Sequence, residues 1–271
     1  MKQRTIMVNT NCYHGYSIEE AIVSIAKAGF TAVELTATKG WTEHVFPTQT
    51  FSHLLKVKDL LAEHNLTAVG MSGHANLMDP RRLADFIQNI RLAHFFGCQY
   101  IVSSIGEAHL EDAKEVGDEE LVSHLRSLLP HLTEANLTLV LETHGEHSTA
   151  TRIAPIVKAV QSDRVKICYD TANVIYFAEV TGNEDLVANL DEIGYLHIKD
   201  KAGKPKEWNF PALGEGYVDF PGIFSILDEA NNLAPLSIEI EFKEGGSSSL
   251  EEVDEAIQIS AAYLRSLGYE L

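Results

Sequence analysis

Eight short apolar or β-branched runs recur along the chain, with helical periodicity between them. That alternation restricts the fold to a parallel sheet with crossover helices. The runs are TIMVN (5–9), TAVEL (31–35), TAVGMS (67–72), YIVSSI (100–105), TLVLETH (138–144), VKICYDT (165–171), YLHIKD (195–200) and PLSIEIEF (235–242). Helical patterns lie between them, as at 17–30, 79–97 and 118–132. A last one at 249–268 opens on a Ser249/Glu252 capping box and closes at Gly268. Eight strand–helix units are the number that closes a (β/α)8 barrel. An open doubly wound sheet would carry a glycine-rich phosphate turn after its first strand, and NTNCYHGYS has none. No linker, low-complexity tract or shift of composition divides the chain. The prediction is an α/β protein, one barrel domain over residues 1–271.

Charge and cysteine usage narrow the function. With 21 Lys+Arg against 39 Asp+Glu the net charge is −18, which repels phosphate backbones and anionic lipid. No nucleic-acid partner and no membrane are therefore expected. The first residues hold no apolar run of signal-peptide length, and no stretch approaches the roughly 18 apolar residues of a membrane span. Cys12, Cys98 and Cys168 are odd in number, far apart and without C-x-x-C spacing, so neither a disulfide framework nor a zinc knuckle is expected. A cytoplasmic protein fits these features. Cys168, inside an apolar run, reads as a buried structural thiol.

In a barrel, polar residues at the C-terminal ends of strands are where chemistry collects. The fifth run ends in Glu142 and His144, the sixth in Asp170 with Asn173 a turn later, the seventh in His197, Lys199 and Asp200, and the eighth in Glu239 and Glu241. Carboxylates converging there would repel unless protonated or bridged by a cation. Glu142, Asp170, His197 and Glu239 make a three-oxygen, one-nitrogen ligand set for a divalent metal, Mn2+ or Mg2+ before Co2+ or Zn2+. Any one such residue is more often a helix cap or rim charge; four in succession are costly to bury without a shared partner.

The segments LETHG, DTAN, HIKD, LGEG-YVDF and SIEIE resemble the xylose isomerase-like TIM-barrel superfamily, in pattern nearest the tagatose 3-epimerase and L-ribulose-5-phosphate 3-epimerase group. The resemblance spans nearly the whole chain. It implies metal binding by Glu142, Asp170, His197 and Glu239, with Glu142 and Glu239 also acting as acid and base on opposite faces of a sugar. It favours Glu239 over Glu241. Tagatose-type members have His three residues after the metal-binding Asp; Asn173 stands there, as in the ribulose-phosphate branch. His74 falls where relatives place a substrate-contacting His. The expected activity is a metal-dependent sugar or sugar-phosphate isomerase or epimerase working through an enediolate on a small-molecule substrate, and the resemblance is compatible with a homo-oligomer. The same enediolate could instead lose a hydroxyl, as in an inosose or 3-keto-sugar dehydratase. An apurinic-site endonuclease-like hydrolase fits less well, needing more histidine ligands and a basic face.

Further residues have two readings each. His144, His74 and His109 could serve substrate or simply be hydrogen-bonded within the fold. Lys199 could face the pocket or pair with a carboxylate, and Lys201 could serve an anionic group equally well. Glu34 could line the cavity or form a salt bridge inside the barrel. The long segment 200–222 reads as a lid or substrate wall, and Trp41, Trp208 and Phe210 could wall the sugar or be simple packing groups. The last loop, KEGGSSS at 243–249, could hold a phosphate or merely feed the Ser249 cap. His74, His144, Asn173, Lys199 and Trp208 are the expected substrate contacts.

Overall fold

A computed structural model describes residues 4–107, 110 and 114–271; His109 lies outside them. Eight parallel strands form a closed barrel: β1 (Ile6–Asn9), β2 (Ala32–Thr36), β3 (Thr67–Ser72), β4 (Tyr100–Ser103), β5 (Thr138–Glu142), β6 (Val165–Asp170), β7 (Ile193–Ile198) and β9 (Leu236–Ile238), which pairs back onto β1. Around it run α1 (Ile18–Lys27), α2 (Phe51–Glu63), α3 (Pro80–Phe96), α4 (Asp118–Ala135), α5 (Ala150–Val160), the short α6 (Asn173–Ala178) and α7 (Glu184–Ala188), α8 (Phe220–Glu229) and α9 (Leu250–Ser266). A two-stranded antiparallel ribbon, β8 (Asn209–Phe210) with β10 (Phe242–Lys243), joins the two loops that follow β7 and β9. The predicted single-domain (β/α)8 TIM barrel is what the chain forms. Among the described residues no helix is long and apolar enough to cross a membrane.

Helix ends follow local chemistry. Ser17 and Glu20 form a reciprocal capping box at α1. At α9 only half of the predicted box forms. Ser249 accepts from Glu252 N–H, but the Glu252 carboxylate turns to the backbone N–H and hydroxyl of Ser248. The eighth strand is shorter than the predicted 235–242, because Phe242 adopts φ +60° and the chain leaves the barrel to enter the ribbon.

The two-residue period of the strands sorts the core into two bodies. Outward residues such as Val8, Leu35, Leu141, Ile167, Leu196 and Ile238 pack in the large cluster beneath the helices. Met7, Ala32, Val69, Val102, Val140, Cys168 and Tyr195 form a second, separate cluster that plugs the barrel. Two residues further along the strands stand Asn9, Glu34, Glu142, Asp170 and His197, all buried. The apolar plug is thus the floor of a polar layer.

Gly70 fits beneath that floor. A Cβ there would stand 2.5 Å from Tyr195 Oη and 3.3 Å from Glu34 Cγ. Tyr195 cannot swing aside freely, since its hydroxyl donates to Glu34 Oε2 at 2.7 Å and its ring is fully buried. Gly70→Ala gains under about 1 kcal/mol from reduced chain entropy and loses about 1–3 kcal/mol to overpacking. Net destabilisation is expected in urea unfolding, and an unchanged midpoint would contradict this packing.

Candidate metal centre

Asp170 and Glu239 each have one oxygen held by hydrogen bonds and the other directed toward His197. Asp170 Oδ1 accepts from the N–H groups of Ala172 (2.9 Å) and Asn173 (2.7 Å), as a side chain at the start of a helix does. Its Oδ2 is buried without a hydrogen-bond partner. Glu239 Oε1 accepts from Asn11 (3.0 Å) and Asn9 (3.4 Å), which leaves Oε2 3.5 Å from His197 Nδ1. Glu142 Oε1 lies 2.6 Å from the same nitrogen. Ligand atoms of Glu142, Asp170, His197 and Glu239 all lie within 4.8 Å of one another, the one such grouping found among the described residues.

His197 is fixed from behind. Its Nε2 lies 3.1 Å from Glu34 Oε2, and Glu34 also accepts from Ser72 Oγ at 2.6 Å. With Nε2–H directed to Glu34, Nδ1 is the nitrogen offered to the cluster, and the carboxylate behind the ring fixes its tautomer and orientation. Burial opposes ionisation of Glu34, but His197 and the hydrogen bonds outweigh it and hold the group below its ordinary value.

The buried carboxylates of the cluster repel one another. Burial pushes the Asp170 carboxyl up to about 8; Lys199 opposes that shift, while Glu142 and Glu239 add to it. Burial likewise disfavours a charged His197, yet the carboxylates around it hold the ring well above its usual value. An orphaned buried carboxylate oxygen amid two further carboxylates and one imidazole nitrogen fits a hard or borderline divalent ion, which would occupy the space these atoms share.

The cluster lies beside a cavity of about 310 Å³, at the small end of the range for ligand pockets (about 300–1,000 Å³). His74, His144, Asn173, Lys199 and Trp208, the residues predicted to contact substrate, all line it. His74 Nδ1 accepts from Ser104 N–H at 2.9 Å, so its proton belongs on Nε2. His144 packs against Phe177, and burial lowers its pKa. The Lys199 ammonium lies over the Phe210 ring and pairs with Glu241, with Glu239 Oε2 at 3.5 Å. Burial disfavours its charge, and those carboxylates more than restore it. Glu241 lines the pocket but lies outside the four-residue grouping; its partner is Lys199.

Several rim residues do structural work instead. Asp200 turns away from the pocket and accepts from the N–H groups of Gly214 (2.8 Å), Gly216 (2.9 Å) and Val218 (3.2 Å), tying down the long loop after β7. Any side chain at Gly216 would collide with Asp200 and the Lys201 carbonyl. Lys201 is fully buried and its ammonium donates to the Ala202 and Lys204 carbonyls, so it is no anion handle. Phe210 is buried beneath Lys199 and is not a pocket wall. Asn9, Asn11 and Tyr195 escaped the sequence reading, although NTN at the end of the first strand lay in view. The three cysteines are buried and unpaired, and burial raises the Cys168 thiol to about 12.

The family profile of xylose isomerase-like TIM barrels matches residues 22–267, and the chain belongs to that family. No curated protein sequence matches it. Among solved structures it is similar to a D-allulose 3-epimerase from Methylomonas sp. (18% identity, 98% of each chain covered, TM-score 0.75). It is also similar to a 3-keto-D-glucoside 4-epimerase from E. coli (17% identity, 97% of this chain and 100% of that one, TM-score 0.73). A third is a xylose isomerase-like TIM barrel protein from Mycobacterium smegmatis in complex with magnesium (17% identity, 97% of each chain, TM-score 0.75).

A ligand that relieves this repulsion stabilises the fold. Mn2+ at about 100 times its Kd should add about 2.7 kcal/mol, a rise of about 5–11 °C in Tm for a domain of this size. Asp170→Asn should hold or raise the metal-free Tm and abolish the metal-induced shift. A scan unchanged by Mn2+, Mg2+ and Co2+ would contradict a metal at this position.

Proposed function

We propose that this chain is a divalent-metal-dependent sugar epimerase or isomerase that moves a proton at the carbon next to a ketose carbonyl. The observation that carries the proposal is the buried Asp170 Oδ2, without a hydrogen-bond partner, among Glu142, His197 and Glu239 beside a small cavity. Relatives of the same fold named as sugar epimerases support it. Glu142, Asp170, His197 and Glu239 are proposed as the ligands, and the oxygen-rich donor set favours Mn2+ or Mg2+ over Co2+ or Zn2+. A bound divalent ion would polarise the ketose carbonyl and stabilise the enediolate left when the neighbouring proton departs.

The side chains supply position and proton traffic. β5, β6, β7 and β9 are consecutive neighbours in the barrel, so Glu142 and Glu239 enter from the two ends of that arc. A sugar held between them meets one carboxylate on each side: one removes the proton, the other returns one from the opposite side, and the carbon inverts. Asn9 and Asn11 fix the orientation of Glu239, and Glu34 fixes that of His197. His74 Nε2–H and Asn173 are proposed to bind substrate hydroxyls, and Trp208 to cover the ring. Lys199, already balanced by Glu241, is placed to steer a substrate oxygen. The acidic surface fits a small-molecule partner in preference to nucleic acid or membrane, and unpaired cysteines fit the cytoplasm.

Incubating ketoses in deuterium oxide tests the proposal. Exchange of the proton next to the carbonyl should require added Mn2+, Mg2+ or Co2+, and should fall about a hundredfold or more in Glu142→Gln or Glu239→Gln. An enone absorbance without ketose interconversion would instead identify a dehydratase, and metal-dependent cleavage of abasic DNA a hydrolase.

A further inference from the structure

A second chamber of about 630 Å³ adjoins the metal pocket, lined by the loop after β1, the ribbon and the loop before α9. Asn11, Trp41, Trp208 and Glu241 line both cavities, so the two are neighbouring rooms with common walls. The metal pocket is half the size of its neighbour, and a ligand that filled only the pocket would leave the larger space empty.

The chemistry of the chamber is aromatic, hydroxylated and acidic. Trp41 stacks on His14 with centroids 4.1 Å apart and planes within 9°, and its Nε1 donates to Asn11. Tyr16, Trp208 and Phe242 add further ring surface, while Glu241 and Glu244 supply carboxylates. No lysine or arginine lines the chamber among the described residues. Beside the start of α9, the Ser248 N–H and hydroxyl are already taken by the Glu252 carboxylate. Lys243 is exposed and lines neither room. A phosphate placed here would meet the Glu241 and Glu244 carboxylates and no lysine or arginine, whereas a neutral sugar ring offers C–H faces to the aromatics and hydroxyls to the carboxylates.

We propose that the substrate is a neutral glycoside: the keto sugar occupies the metal pocket and a second sugar ring occupies the aromatic chamber. The proposal rests on the function given above and names its substrate class. It excludes a sugar phosphate whose phosphate points into this chamber.

The test compares three kinds of ketose with the Mn2+-loaded protein: D-fructose, D-fructose 6-phosphate, and the keto-disaccharides lactulose and isomaltulose. Deuterium exchange next to the carbonyl is followed for each. At least one disaccharide should exceed both monosaccharides in kcat/KM by about tenfold or more. Tyr16→Ala should lower the disaccharide-to-monosaccharide ratio about tenfold, and Glu244→Lys should shift preference toward the phosphate ester. Equal or faster exchange of D-fructose or its phosphate overturns the second-ring proposal and leaves the proposed function standing. If no ketose exchanges although Mn2+ binds, the proposed function fails. Calorimetric titration of lactulose, isomaltulose and D-fructose then decides the chamber alone: tighter disaccharide binding that is lost in Tyr16→Ala supports it, and indistinguishable affinities overturn it.

Discussion

Burial of like charges on an apolar plug is the constraint around which this barrel is arranged. Met7, Ala32, Val140, Cys168 and Tyr195 fill the interior, and the next inward position on each of those strands is a buried polar residue. Asn9, Glu34, Glu142, Asp170 and His197 occupy those positions, and the strands' period of two leaves them no other direction. Carboxylates that would repel in any arrangement are thereby held side by side. The fold tolerates this by giving each carboxylate a partner: His197 for Glu34 and Glu142, backbone N–H groups for Asp170, asparagines for Glu239. What stays unsatisfied is the inward oxygen of Asp170, and that deficit is what a cation would remove.

Charge is handled by different means a few ångströms higher. Lys199, Glu241 and Phe210 form a compact group above the cluster, with the ammonium over the ring and against the carboxylate. The loop above is anchored by Asp200, whose two oxygens collect backbone N–H groups from residues far along the chain. The cavity wall that carries Trp208 is therefore connected to β7 both through the chain and through a buried carboxylate. The ribbon then links the same wall to the loop after β9, bringing Trp208 and the segment around Phe242 together at the edge of the aromatic chamber.

Much of this was legible in the residues themselves. The alternation of runs sets the barrel, and ionisable strand ends indicate where the acidic layer forms. Other roles were not readable. Glu239 and Glu241 alternate identically along IEIEF, and they part company only because β9 stops at Ile238 and the chain turns into the ribbon at Phe242. Asp200 and Lys201 look as capable of binding substrate as Lys199 does, yet they satisfy backbone groups of the loop. The glycine–serine loop resembles an anion site, yet its Ser248 N–H and hydroxyl are held by Glu252.

The sequence by itself determined the eight-unit barrel and which strand ends carry acid, because hydrophobic period and strand polarity are local properties of the chain. Only the tertiary structure decided the partners: Glu34 with His197, Asn11 with Glu239, Lys199 with Glu241, and the chamber beside the metal pocket. Those pairings join residues from about 40 to about 230 positions apart. Closure of the barrel brings such groups within hydrogen-bonding distance, and no local pattern encodes which of them will meet.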